Sequence, residues 1–146
     1  MTVYNHHLTL LIIDEDVVSI STLSSLFAKE FNIEIAQDGK AALQCIMLKD
    51  IDLVLSVVNA PIISGQELCI FVKNSQLTDH IPVMFLADKP SLDEEEECLA
   101  MGAIDYIDKK TRSNILVSRV TNLMKMVDQQ KKLARVSCTD GLTGLA

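Results

Sequence analysis

Residues 52–65 read DLVLSVVNAPIISG. Leu53, Val54, Leu55, Val57 and Val58 are interrupted only by Ser56, the near-continuous apolar run of a strand buried on both faces. Pro61 cannot extend a hydrogen-bonded ladder, and Gly65 suits a tight return. A strand over Asp52–Val58 therefore runs out into a loop, where an open α/β sheet usually places its chemistry. Yet between Leu53 and Ile63 there is no carboxylate, histidine, lysine or cysteine. The loop has the outline of a site and no reactive group.

Working outward, the chain alternates apolar strands with helical patterns. LTLLII (Leu8–Ile13) is a continuous apolar run that ends at the acidic triplet Asp14, Glu15, Asp16. Ile20, Leu23, Phe27 and Phe31 then recur at helical spacing, which predicts an amphipathic helix over Val17–Glu30. IEIA (Ile33–Ala36) is a short strand, and Asp38-Gly39 is a turn opening a helix over Lys40–Leu48. Helix Gln66–Asn74, strand Pro82–Ala87, a helix capped by Ser91 and stopped by Gly102, the strand AIDYI (Ala103–Ile107) and a long final helix from Ser113 complete the series. Five β-α units with short links predict a doubly wound parallel sheet covered by helices on both faces.

Composition narrows the function. A chain of 146 residues with 49% hydrophobic residues, 4% aromatic and no Trp has a core of Val, Ile, Leu and Met, not an aromatic platform for bases. A formal net charge of -7 repels nucleic acid and anionic lipid, since phosphate neutralisation needs clustered Lys and Arg. Neither nucleic acid nor a membrane is an expected partner. Cys45, Cys69, Cys98 and Cys138 lie far apart with no ligand spacing, and His6, His7 and His80 make no metal motif. The start MTVYNHH lacks the apolar stretch of a signal peptide, so a cytoplasmic protein is expected.

LIIDED, DLVLSVVNAPIISG, PVMFLA and GAIDYIDKK, in this order and spacing, resemble the signatures of the receiver domain of two-component response regulators, over about residues 8–122. The resemblance implies a flavodoxin-like (βα)5 fold with strand order 2-1-3-4-5. It also implies two Mg²⁺-binding acids after the first strand, matched by Asp14 and Glu15, and a lysine after the fifth, matched by Lys109. The phosphoryl-accepting aspartate of the family falls on Val57, and the hydroxyl residue that ends the fourth strand falls on Ala87. Valine cannot be phosphorylated and offers no lone pair to a metal, and Mg²⁺ wants several hard oxygen ligands. The degenerate pocket Asp14, Glu15, Val57, Ala87, Lys109 is therefore expected to be non-catalytic, with Asp14 and Glu15 only weak metal candidates, no cofactor, and Lys109 paired directly with Asp14. Ser56 points to the face opposite Val57 by strand alternation, and Asp88 reads as a solvated loop acid.

The final helix runs past the end of a single domain. Leu116, Val120, Leu123 and Val127 suit packing on it, while Leu123, Met126, Gln130, Leu133 and Ser137 approximate a heptad seam. The tail Asp140-Gly141-Leu142-Thr143-Gly144-Leu145 resembles the opening of a GGDEF domain, the diguanylate cyclase module that makes cyclic di-GMP. The resulting division is a receiver-like domain at 1–122, a connecting signalling helix at 123–138 and the start of a truncated GGDEF domain at 139–146. The expected function is that of a non-phosphorylatable input and dimerisation module, without enzyme activity in this piece, addressed by an upstream signalling protein and belonging to a diguanylate cyclase. Candidate interface residues for a homodimer are Asp105, Arg112, Arg119, Leu123, Met126 and Leu133, with acids and bases segregated as complementary surfaces require. Two other readings stay open: a small-molecule sensor using an apolar pocket around Val57 and Ala87, and a receiver phosphorylated at an atypical residue.

Overall fold

The computed structural model describes the backbone of residues 7–144 and the side chains of residues 7–134. Five strands and five helices alternate: β1 (Thr9–Ile13), α1 (Val17–Phe27), β2 (Asn32–Ala36), α2 (Gly39–Leu48), β3 (Leu53–Val57), α3 (Gly65–Lys73), β4 (Val83–Ala87), α4 (Leu92–Ala100), β5 (Asp105–Asp108) and α5 (Ser113–Gly144). The strands are parallel in the order β2-β1-β3-β4-β5, the flavodoxin-like arrangement.

The apolar runs explain the layering. β3 and β4 are buried along their whole length, so successive residues serve opposite cores. Leu10, Ile12, Leu53, Leu55, Met84 and Leu86 pack with Leu23 and Phe27 of α1 and with Leu116, Val120 and Met124 of α5. Leu11, Val54, Val83 and Phe85 pack on the other side with Ala42, Ile46, Leu68, Cys69, Val72 and Cys98. Each fully buried aliphatic side chain contributes about 1.5–3 kcal/mol.

Element ends differ from the sequence expectation where local hydrogen bonding decides them. α1 stops at Phe27 instead of Glu30, because Glu30 and Phe31 donate their N–H groups to the Phe27 carbonyl and turn the chain. β5 begins at Asp105 rather than Ala103 because Ala103 still belongs to the end of α4. Its N–H reaches Cys98 O at 3.2 Å, Gly102 N–H reaches Leu99 O at 3.1 Å, and Gly102 has φ +106. That is a Schellman motif, with its glycine in the left-handed conformation.

α5 does not leave the domain at Asn122. Met124 is fully buried, and Leu123 and Val127 are partly buried against the same core. Ser137, Cys138 and the GGDEF-like tail lie outside the residues whose side chains are described.

Candidate functional site

The site lies where the strand register brings four chain ends together at the carboxyl edge of the sheet: Ile13 pairs with Ser56, Val57 with Leu86 and Ala87 with Asp108. Two members of the acidic triplet after β1 have separate tasks. Asp14 is fully buried; its Oδ1 accepts the N–H of Asp16 at 3.0 Å and its Oδ2 lies 2.7 Å from Lys109 Nζ. Asp16 caps α1, accepting the N–H of Val18 at 3.0 Å. Glu15 alone is left exposed without such a task.

Lys109 follows β5 and is fixed at the backbone by its N–H to Ala87 O at 2.9 Å. Its side chain is 19% exposed, and Asp88 Oδ1 lies 3.6 Å from Nζ. Burial acts against its charge, but Asp14, backed by Asp88 and Glu15, outweighs this and holds the ammonium above the ordinary lysine range. The direct Lys109–Asp14 pair expected from the sequence is thus present, and Asp88 joins it despite its exposure.

Between these charges stand two apolar residues. Val57 is 3% exposed and Ala87 1%, and both belong to one core cluster. The Val57 carbonyl accepts the Ser56 hydroxyl at 2.7 Å, and Ser56 is fully buried. The following loop keeps a tight return: a Cβ on Gly65 would sit 2.3 Å from Val57 O and 2.8 Å from Phe85 Cε1, so no other residue fits there undisturbed. At the loop's tip Ile63 N–H bonds Pro61 O at 2.8 Å across Ile62, which has φ +70. This is a γ-turn with a β-branched residue in the left-handed region, a strained conformation. The loop's form is retained and its acceptor is absent.

These residues do not fit the Mg²⁺ ion that the resemblance implies. One carboxylate is committed to Lys109, Glu15 is a single exposed acid, and Val57 supplies no oxygen. Among the described residues no group of three His, Cys, Asp or Glu is placed to hold a metal. The cleft beside the ends of β3 and β4 is lined by Val58, Asn59, Asp88, Lys89 and Glu94, while Val57 and Ala87 are buried.

Sequence reasoning passed over Tyr106. Its hydroxyl donates to Glu94 Oε1 at 2.5 Å and accepts the Ser91 N–H at 3.3 Å, which ties β5 to the start of α4. Burial and the Glu94 bond push its pKa up to about 12. The only signal in the sequence was an aromatic in a strand facing an acidic helix. Of the candidate interface residues, Met126 and Leu133 are 53% and 68% exposed and Arg112 is exposed. Leu123 is turned toward the domain, and Arg119 is paired with Asp105 of its own chain at 3.1 Å. No described helix is long and apolar enough to cross a membrane.

A parallel sheet of this order, with acids after β1, a lysine after β5 and a Pro-to-Gly return after β3, defines the receiver class of signalling domains. The family described as response regulator receiver domain matches residues 10–121, and the chain belongs to it. A receiver domain is not an enzymatic domain. The chain is 37% identical over 112 residues to a probable cyclic di-GMP phosphodiesterase of Vibrio cholerae, covering 77% of this chain and 25% of that protein. Among solved structures it resembles a putative response regulator from Chloroflexus aurantiacus, with TM-score 0.75 and 30% identity over 80% of this chain and 97% of the other. The receiver domain of a signal transduction histidine kinase from Syntrophus aciditrophicus gives TM-score 0.75 and 26% identity, covering 82% and 91%. The chain spans only about a quarter to a half of the length of the first two curated relatives it matches.

Proposed function

We propose that this receiver domain signals without taking a phosphoryl group at the usual place, as a cytoplasmic input and pairing module of a larger protein of cyclic di-GMP metabolism. The observation that carries this reading is Val57 at the acceptor position, with Lys109 already spent on Asp14 at 2.7 Å. A lysine that would meet a phosphoryl oxygen is already ion-paired in the resting domain, and Ala87 has no hydroxyl to follow one. No bound cofactor is needed. Regulation then acts through contact: an upstream protein or a second copy binds the domain, and α5 carries the consequence onward.

The cyclic di-GMP assignment has two supports. The tail from Asp140 resembles a GGDEF opening, and a relative 37% identical is named a probable cyclic di-GMP phosphodiesterase. A diguanylate cyclase is the form favoured by the tail. The test of the central claim is incubation with acetyl phosphate, or with beryllofluoride and Mg²⁺, followed by intact mass, chemical shifts and light scattering. All three should stay unchanged; an aspartyl phosphate anywhere in the chain refutes the reading. A second reading has one observation in its favour. Asp88 is exposed and 3.6 Å from Lys109, so phosphoryl transfer to an atypical residue would be found there by peptide mapping.

A further inference from the structure

We infer that the second half of α5 is clamped to the amino-terminal end of the sheet by Asp52 and Lys131, and that this clamp sets which side of the helix is offered to a second copy. The latter half of the statement rests on the pairing reading above; the clamp itself does not.

Asp52 lies immediately before β3 with its side chain 3% exposed. Its N–H donates to Thr9 O at 2.9 Å and its Oδ2 accepts the Thr9 N–H at 2.7 Å, closing β1 onto β3 at the start of both strands. That uses one carboxylate oxygen. The other would leave an ionised group nearly out of water without a countercharge, a costly arrangement. Lys131 supplies the charge, with Nζ 2.5 Å from Asp52 Oδ1 and 3.9 Å from Asp50.

The position of Lys131 follows from the helix repeat. Leu116, Val120, Met124 and Val127 pack on the domain at steps of four, four and three residues, one stripe of a 3.6-residue helix. Four residues further, the stripe reaches Lys131. A lysine replaces the next apolar residue at the point where the domain presents a buried acid. A second tie, His7 Nε2 to Asp128 Oδ1 at 2.8 Å, joins the segment before β1 to the same turn of the helix.

Docking leaves another face free. Ile115, Met126 and Leu133 are 43%, 53% and 68% exposed, and their spacings of eleven and seven residues put them on one side of the helix, away from the packed stripe. The clamp does not compete with pairing through these residues. With the packed stripe it fixes their azimuth.

The test is amide hydrogen exchange on the 146-residue chain, dilute enough that light scattering shows a monomer, so that pairing cannot supply the protection. Amides over Val127–Lys132 should be protected in the parent, lose about tenfold of that protection in Lys131→Gln, and keep it in Lys131→Arg. Amides of β1, β3 and β4 should be unaffected by either change. Unprotected amides in the parent, equal exchange in parent and Lys131→Gln, or loss in Lys131→Arg as large as in Lys131→Gln overturns the clamp. If the clamp holds but concentrated samples never pair, only the pairing reading fails. If paired samples gain their protection from pairing alone, the dilute measurement has already refuted the clamp.

Discussion

Val57→Asp restores the missing acceptor, and the structure sets the size of its effect on stability. Val57 is 3% exposed, so the change removes a buried isopropyl group worth about 1.5–2 kcal/mol. It adds a carboxylate beside Asp14, which already holds Lys109 at 2.7 Å; two acids sharing one lysine leave about 1–3 kcal/mol of unmet desolvation. The sum is about 2.5–5 kcal/mol. At about 2.1 cal/mol/K per residue, unfolding a 146-residue chain has an entropy of about 0.3 kcal/mol/K. The variant should therefore melt about 8–16 °C below the parent without metal. With Mg²⁺, Asp14, Glu15 and the new acid together supply the oxygens that the ion requires, and Lys109 is released. At ten times the dissociation constant, binding to the folded state alone returns about 1.4 kcal/mol, roughly 5 °C. Thermal melts of parent and variant against MgCl₂ concentration are the assay. A variant with no metal response would show that the loop from Val58 to Ser64 has left receiver geometry. A parent that responds equally would refute the statement that its residues do not fit Mg²⁺. Switching in the variant should further need Ala87→Thr.

Tyr106, with a pKa raised from 10.0 to about 12, keeps its proton in the fold at pH values where the unfolded chain has lost it. Its contribution is complete below pH 10 and is lost as pH rises toward 12, so ultraviolet titration of a Tyr4→Phe chain should show late tyrosinate formation, and Tyr106→Phe should flatten the alkaline loss of stability. Ile62→Asn should raise stability by about 1 kcal/mol in urea, because asparagine tolerates the left-handed region that a β-branched residue resists; an unchanged midpoint would mean that φ +70 carries no strain. Met126→Glu combined with Leu133→Glu should abolish concentration-dependent pairing in light scattering while leaving the melting temperature within about 2 °C, since both side chains are exposed. Truncation after Asn122 is the poorer test of pairing, since it also removes Met124 and Val127 from the core.

The sheet was legible because burial on both faces writes itself as unbroken apolar runs. Leu53–Val58 and Val83–Leu86 leave little choice of period, and Ser91 and Gly102 mark helix ends with a side chain or backbone freedom that acts locally. The site was legible as a set of absences, Val57 and Ala87, and as the pairing of Lys109 with Asp14. Other contacts between residues far apart in sequence were not. Nothing in the order of residues says that Asp52 meets Lys131, that Tyr106 reaches Glu94, or that Arg119 meets Asp105 of its own chain. The acidic triplet shows the same limit: three adjacent acids read as one cluster, whereas an ion pair takes Asp14 and a helix cap takes Asp16.

The length of α5 beyond Lys131 turns a local ion pair into a matter of leverage. The helix continues to Gly144, thirteen residues further, which at 1.5 Å per residue is about 20 Å of arm. A pivot that yields by about ten degrees moves the far end of such an arm by about 3 Å, close to the width of a side-chain contact. The carboxylate that stops this pivot sits at the opposite end of β3 from Val57, on a strand buried along its full length. A slight change in the seating of Asp52 is therefore multiplied by the arm.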